Sequence, residues 1–460
     1  MIKPRLRRFT ENIQVAFEFG TFDCLNCSES GAAFKDPEKK FNLGDKHKVR
    51  VEYYGFEVYE GSMEVVRSEE EDGDHVCAIA FEPIIPEQLL KSSFLFRSVF
   101  GEINQSLTHY NNIPEEGISA IYRFKNYLLE LKKKLDLIEE GVSVEGLEVQ
   151  ESYLESFKNI FCPQVLPILN NFSNTIHKIA SNLEDEDYNA FKKVFRGELM
   201  TLLNASAFVR RSNLQPLGYA GDHILLSKIY SNQFEGKTLF EKMLFHWSLN
   251  LASSTSIRYR CQFFVDKFRS ISPENRENIR ISSVACGPAN EVCEFLKYVD
   301  KDQSHKYSFY LFDQEEDALI YAKRNIERII IERKLKCEFT YGLLTVKNIV
   351  NDEEVIKEFE KNFDIVYAAG LYDYLQKLTA KRLTSKIYGW LKPEGELIVA
   401  NFNKNYPNTI SDFIGDWKLI CRDEKEMTSL IEEIGQEANF ECDQSGIELM
   451  MGIKSARSSW

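Results

Sequence analysis

Ser283-Val284-Ala285-Cys286-Gly287-Pro288-Ala289-Asn290-Glu291 and, about twenty residues on, Tyr310-Leu311-Phe312-Asp313-Gln314 decide how the second half of this chain folds. In the first stretch a β-rich run ends in small residues and a helix begins. Small residues let backbone N–H groups approach a ligand at such a turn. In the second, Asp313 ends the next strand, where a carboxylate can accept both hydroxyls of a ribose. Neighbouring strand ends of this kind form the topological switch point of a parallel sheet, where ligands bind.

The surrounding pattern agrees. From about Ile279 strands and helices alternate, with strands expected at Ile281–Ala285, Tyr307–Phe312, Cys337–Tyr341, Phe363–Ala368 and Gly395–Phe402. That is the signature of a parallel sheet wrapped by helices. A last helix is expected near Glu424–Ala438. Two further β runs come after it, Phe440–Cys442 and Ile447–Ile453, joined by Asp443-Gln444-Ser445-Gly446. So short a turn pairs them antiparallel. A terminal hairpin sets this α/β, Rossmann-like region (276–460) apart from an ordinary dinucleotide-binding fold.

Two other regions precede it, giving a multidomain α+β chain. Residues 1–90 read as a small β-barrel: Ile13–Phe17, Val49–Tyr53, Glu57–Arg67 and Val76–Phe81 are β-rich. Turns separate them at Glu29-Ser30-Gly31, Leu43-Gly44-Asp45 and the acidic loop Glu69–Asp74. Residues 91–275 are mostly helical, with apolar residues such as Ile121, Phe124, Leu128, Leu131 and Leu135 at helical spacing. A turn-rich interruption falls at Pro216–Asp222, and Glu139–Gly146 is expected to be a flexible connection.

Bulk composition narrows the function. Among 460 residues, 57 Lys and Arg face 71 Asp and Glu, a net charge of −14. An acidic chain lacks the electrostatic footprint that nucleic-acid polymers or anionic membranes require. No apolar run reaches the ~18 residues of a membrane span. The basic start, Met1–Arg8, has no apolar region behind it and does not read as a secretory signal. The ten Cys are scattered, which fits buried free thiols in a cytoplasmic protein. Cys24-Leu25-Asn26-Cys27 has CxxC spacing, but no second ligand pair accompanies it, so no metal site is expected.

The chemistry at the switch point favours S-adenosylmethionine. GxGxxG is absent, with Ala285 and Ala289 where glycines would lie. A pyrophosphate needs glycine closeness, whereas an adenosyl sulfonium has no pyrophosphate to cradle. The terminal hairpin suits the methyltransferase variant of the fold. Phe363–Leu371, ending a fourth strand, and Leu391–Val399, leading into a fifth, complete an ordered set that resembles the class I methyltransferase pattern. Ala285, Cys286, Gly287, Glu291, Asp313, Gln314, Ala369 and Gly370 are the expected cofactor contacts.

A narrower resemblance covers roughly residues 200–460. Pro216-Leu217-Gly218-Tyr219-Ala220-Gly221-Asp222, Cys286–Glu291, Ala369-Gly370-Leu371-Tyr372-Asp373-Tyr374-Leu375 and Asp416–Arg422 resemble a bacterial family typified by enzymes that make hydroxy fatty acid methyl esters. The sequence departs from that family at Ala285, where glycine is usual, and at Asn290, where arginine is common. The resemblance implies methyl transfer to oxygen, on an acyl carboxylate or a small-molecule hydroxyl. Tyr219, Tyr372, Tyr374 and Arg422 are candidates to hold the acceptor. For a hydroxyl acceptor, Asp222, Asp373 or His223 could act as base. The competing readings are structural: Tyr219 and Asp222 shape a turn, Asp373 caps a helix, and Arg422 forms a surface ion pair. His177 and His246 lie in helical apolar runs and read as packing residues.

Residues 1–90 resemble a PilZ domain, a bacterial receptor module for cyclic di-GMP. The resemblance rests on Arg5-Leu6-Arg7-Arg8, on Asn26–Gly31 fitting (D/N)xSxxG, and on Val65–Arg67 and Ala78–Phe81. It implies that Arg5, Arg7 and Arg8 clamp phosphates and guanine faces, that Asn26 and Ser28 supply hydrogen bonds, and that Gly31 permits a close turn. The usual RxxxR lead-in is not reproduced: the four-apart pairs here are Lys3 with Arg7 and Pro4 with Arg8. The whole chain then has two readings. One is a cyclic di-GMP-regulated methyltransferase. The other is a non-catalytic effector that binds a partner protein through a degenerate methyltransferase domain.

Overall fold

Alternating apolar residues close the front of the chain into a six-stranded antiparallel barrel. Its strands are β1 (Ile13–Phe17), β2 (Gly20–Ser28), β3 (Gly31–Lys35), β4 (Lys46–Tyr53), β5 (Phe56–Glu71) and β6 (Asp74–Glu82), in the order β1-β2-β3-β6-β5-β4. The computed structural model describes residues 13–28, 30–53, 56–71, 74–85, 112–142, 147–271, 273 and 276–456. These belong to two compact units, residues 1–113 and 114–460.

The barrel core is aromatic. Rings of Phe17, Phe22, Phe34 and Phe41 lie 4.9–5.9 Å apart at tilted or edge-on angles, the arrangement their quadrupoles favour. Cys24 and Cys27 join this core because a register shift between Cys24 and Asn26 turns both inward. Burial pushes the Cys27 thiol up to about 12 and Cys24 higher still, so both stay protonated. The acidic Glu69–Asp74 stretch is mostly strand rather than loop. β5 runs to Glu71 and β6 starts at Asp74, because the antiparallel ladder continues to the Glu71–Asp74 pair, while Glu70 and Asp74 reach Lys39 and Lys35.

The second unit begins with helices: α1 (Glu115–Val142), α2 (Leu147–Ser156), α3 (Cys162–Ala180), α4 (Asp185–Leu203), α5 (Ala207–Leu214), α6 (His223–Ser231), α7 (Leu239–Leu249) and α8 (Ala252–Ser270). α1 carries helix through Glu139–Val142, where the sequence suggests a flexible connection. Its apolar stripe, Phe124, Leu128 and Leu135, is fully buried, which holds the helix beyond the point where composition turns polar.

The sheet comes next: β7 (Ile279–Val284), β8 (Tyr307–Asp313), β9 (Glu338–Leu343), β10 (Phe363–Ala369), β11 (Leu391–Phe402), β12 (Ala438–Cys442) and β13 (Glu448–Lys454). Their order is β12-β13-β11-β10-β7-β8-β9. β7 to β11 are mutually parallel, and β13 enters antiparallel between β11 and β12. This is the Rossmann-like sheet with a terminal hairpin that the sequence implies. α9 (Asn290–Leu296) and α10 (Glu316–Arg333) follow β7 and β8. α11 (Val346–Asn351) and α12 (Glu353–Phe359) follow β9, α13 (Lys377–Tyr388) follows β10, and α14 (Thr409–Gly415) follows β11. The expected helix over Glu424–Ala438 is shorter, Glu424–Thr428. The chain then turns, with Gly435 at φ 68°, into β12.

Helices and sheet share their core. α8 lays Phe264 and Phe268 on β10, with rings 4.6 and 5.4 Å from Tyr367. Full burial of each phenylalanine stabilises the unit by roughly 1.5–3 kcal/mol. α14 inserts Phe413 among Tyr188, Phe191 and Phe195 of α4, and Lys192 reaches Asp412 at 2.8 Å.

Gly31 marks a close approach of β3 to β6, since a Cβ there would lie 2.1 Å from the Ile79 carbonyl oxygen. Gly31→Ala must push β3 away from β6. The expected cost is about 1–3 kcal/mol, read as faster hydrogen exchange in β3 and β6 peptides, with exchange in the sheet unit unchanged.

Candidate functional site

β7 and β8 end side by side, Val284 opposite Phe312, and the chain after β7 makes a tight turn. Ala285, Gly287 and Ala289 have φ of 58°, 51° and 47°. Left-handed backbone costs an alanine roughly 1–2 kcal/mol. Two alanines therefore hold a glycine-like conformation, and strain kept in this way marks functional turns. The turn is fastened to the next strand: Cys286 N donates to Phe312 O at 2.9 Å, and Gly287 N donates to Asp313 Oδ2 at 2.8 Å. Gly287 is approachable, since a Cβ there would meet only Leu226 of α6, at 3.7 Å.

Asp313 is 6% exposed, and its Oδ1 accepts from Glu315 N at 3.0 Å. Burial raises its carboxyl, and these N–H groups pull it back. Gln314 is exposed and adds its backbone N–H to the same carboxylate. Cys286 is buried, and desolvation holds its thiol protonated. Glu291, in the first turn of α9, accepts from the Tyr367 hydroxyl at 2.7 Å, and burial raises its carboxyl. Ala369 and Gly370 end β10, with Gly370 at φ 88°.

The Pro216–Asp222 turn and the start of α6 stand opposite this turn. Burial and the carboxylates of Asp313, Glu315 and Asp222 raise the Tyr219 hydroxyl. His223 acts electrostatically on Asp313, and its buried Nδ1 has no hydrogen-bond partner. Tyr219 packs edge-on to Tyr374 at 6.4 Å, and Trp417 Nε1 donates to the Tyr374 hydroxyl at 2.6 Å. Gly221 is squeezed against both, with its Cβ position 2.8 Å from Trp417 and 2.9 Å from Tyr374. The result is an aromatic wall assembled from three separated sequence segments.

Other candidates are engaged in holding the site together. Asp222, 1% exposed, caps α6 through Leu225 N and pairs with Arg211 at 2.8 Å. Tyr372 is fully buried, with its hydroxyl 2.8 Å from Thr384 Oγ1. Arg422 is buried rather than a surface ion pair. Its guanidinium donates to Tyr372 O, Leu375 O and Asn401 Oδ1. Asp373 accepts from Asn401 Nδ2 at 2.9 Å and Phe402 N at 2.8 Å, and burial pushes its carboxyl up to about 6.

Arg260 and Glu448, which no motif singles out, lie at the centre. Arg260 Nη1 donates to Glu448 Oε1, and the two are 3% and 0% exposed. A Cβ on Gly370 would lie 3.0 Å from the guanidinium. Burial pushes Glu448 up to about 7, with Asp373 adding to the rise and Arg260 opposing it. A lone glutamate in the apolar run Ile447–Ile453 was the available signal, since a buried charge needs a partner.

In the barrel, Ser28 Oγ donates to Gly31 O at 3.2 Å, and Asn26 is half-buried on β2. Arg5, Arg7 and Arg8 lie outside the described residues.

Residues 4–100 match the PilZ domain family. No curated protein matches the chain. Among solved structures, a protein from Bordetella parapertussis described as a possible exported protein is similar at 15% identity. It has TM-score 0.42 and covers 54% of this chain and 85% of its own. An O-methyltransferase family protein from Burkholderia thailandensis shares 12% identity, with TM-score 0.32 and coverage of 45% and 60%. Magnesium protoporphyrin IX methyltransferase from Synechocystis PCC 6803, solved with S-adenosylhomocysteine, shares 11%, with TM-score 0.34 and coverage of 45% and 87%.

Glu448 takes up a proton more readily when folded than in the unfolded chain, so its contribution to stability declines as pH rises from about 4.5 to about 7. Wild type minus Glu448→Gln, measured by urea unfolding at pH 5, 6, 7 and 8, should isolate a loss on the order of 2 kcal/mol that levels off above pH 7. A flat difference would show that Arg260 keeps Glu448 ionised throughout.

Proposed function

We propose that this chain is an S-adenosylmethionine-dependent O-methyltransferase whose front barrel senses cyclic di-GMP. The observation that carries the enzyme half is the switch-point turn. Three left-handed residues, Ala285, Gly287 and Ala289, open a backbone face beside the buried carboxylate of Asp313. The residues present fit the cofactor. Asp313 would take the ribose hydroxyls, and the Ala285–Gly287 and Ala369–Gly370 backbones would flank the adenosyl and methionine parts, with Glu291 and Gln314 beside them. When bound, the cofactor supplies an electrophilic methyl group.

The chain's own part is alignment and exclusion of water. Tyr219, Tyr374 and Trp417 form the wall that does this. A carboxylate acceptor, as in acyl methyl ester formation, needs no base. A hydroxyl acceptor needs a proton withdrawn, and the Asp222 and Asp373 carboxylates are already bound to backbone and side-chain donors. His223, with its unpartnered Nδ1, remains for that step. Asp222, Tyr372, Asp373 and Arg422 would act by holding these loops in place.

The match of residues 4–100 to the PilZ family supports the sensing half. Arg5, Arg7 and Arg8 would clamp the nucleotide and Asn26, Ser28 and Gly31 would shape its seat. Among the described residues no helix is long and apolar enough to cross a membrane. We place the protein in the cytoplasm with both small-molecule ligands.

Titration calorimetry should show saturable S-adenosylmethionine binding, weakened about tenfold or more by Asp313→Ala. No saturable binding by wild type would refute the enzyme reading. Labelled cofactor with cell extract should yield S-adenosylhomocysteine. Binding without turnover would favour the non-catalytic effector. Cyclic di-GMP should bind wild type more tightly than Arg8→Ala, and equal affinities would remove the arginine clamp.

A further inference from the structure

A cavity opens on the same end of the sheet as the switch-point turn. Ala369 pairs with Ala400 and Phe402 with Glu448, so the β12–β13 turn sits at the strand ends that carry Gly370. Between that turn, the segment after β11, the start of α8 and one face of α3 lies a space of about 270 Å³. That is slightly smaller than the roughly 300–1,000 Å³ of sites for drug-sized ligands, so it suits one end of a molecule. Thr255 and Ile447 line it, and each is the chain neighbour of a residue in the central polar cluster: Ser256 Oγ lies 3.4 Å from Glu448 Oε2.

The chemistry of the lining is distinctive. Asn170, Asn174, His177, Asn250, Thr255 and Ser411 offer hydrogen bonds, and Leu251, Ile410 and Ile447 add apolar surface. None of the lining side chains is a Lys, Arg, Asp or Glu. His177 bonds Thr409 Oγ1 through Nδ1 at 2.8 Å, which leaves Nε2 for the cavity. Burial lowers the His177 pKa, so the imidazole is neutral at ordinary pH. Ser411 Oγ lies 2.8 Å from the Tyr406 hydroxyl and 3.3 Å from Ser253 Oγ, a hydroxyl chain that can turn to donate or accept. An anion placed here would lose water and find no cation, whereas a neutral hydroxyl or carbonyl would find partners on several sides.

We infer that this cavity is a ligand-binding site that takes an uncharged, hydrogen-bonding moiety with a short aliphatic part, not a carboxylate. The ligand class follows from the lining and stands apart from the methyltransferase reading.

The test uses the full chain and two probes of one carbon skeleton, pentanamide and pentanoate, followed by saturation-transfer NMR at pH 7.5. Wild type should give saturable transfer to pentanamide and little to pentanoate. Ala252→Phe, at an exposed lining position on α8, should abolish the pentanamide signal by filling the cavity. Asn174→Arg, at an exposed lining position on α3, should bring pentanoate up at least tenfold by supplying the missing cation. Equal transfer to both probes in wild type, no transfer to pentanamide, or a pentanamide signal that survives Ala252→Phe would each overturn the inference. Calorimetry with S-adenosylmethionine on the same samples separates the two claims. Its failure beside intact pentanamide binding would refute the methyltransferase reading and leave the ligand class of the cavity standing.

Discussion

The buried contact between Arg260 and Glu448 is the constraint on which the candidate site depends. The guanidinium comes from α8 and the carboxylate from the first residue of β13, so the contact locks a helix that precedes the sheet to the strand that completes it. Removing two charges from water is costly unless geometry and further hydrogen bonds compensate. Here Ser256 lies beside the second oxygen of Glu448, and Gly370 has no side chain to obstruct the guanidinium. Asp373 sits near enough to feel the Arg260 charge and is itself bound by Asn401 and Phe402 N. Arg422 then ties Asn401 to the carbonyls of Tyr372 and Leu375. One polar network therefore fixes the loops after β10 and β11 together.

This arrangement leaves the strand-end face divided. On one side is the strained turn at Ala285–Ala289 with Asp313. On the other is the cavity near the β12–β13 turn, lined by no Lys, Arg, Asp or Glu. The charged network lies at the ends of β10 and β13, between them in strand order. Concentrating the charges there leaves a neutral lining at that cavity, because the carboxylates and guanidiniums of this network are bound to one another and to backbone groups.

Much of the sheet was legible because its signals are local. Parallel strands buried on both faces read as short apolar runs, and Asp313 marks a strand end by being the first charge after such a run. The hairpin was legible from a four-residue connection. The failures are also physical. Glu69–Asp74 looked like a loop because acidic residues are poor strand formers, yet the β5–β6 ladder, with Glu69 opposite Val76 and Glu70 opposite His75, holds them extended. Glu424–Ala438 looked like a longer helix because composition does not reveal where a chain must turn to reach the next strand. Arg422 looked like a surface charge because nothing in its neighbours announces that three acceptors on distant segments enclose it.

The sequence by itself determined most of the element types, a parallel sheet with a terminal hairpin, the turn at Ala285–Ala289 with Asp313 beyond it, and the succession of barrel, helices and sheet. These depend on periodicity and on residues a few positions apart. Only the tertiary structure decided which polar residues meet. It committed Asp222, Asp373, Tyr372 and Arg422 to bracing, brought Tyr219, Tyr374 and Trp417 into one wall, and paired Arg260 with Glu448 across 188 positions. Contacts of that kind depend on how helices and sheet pack against each other, and no local spacing encodes them.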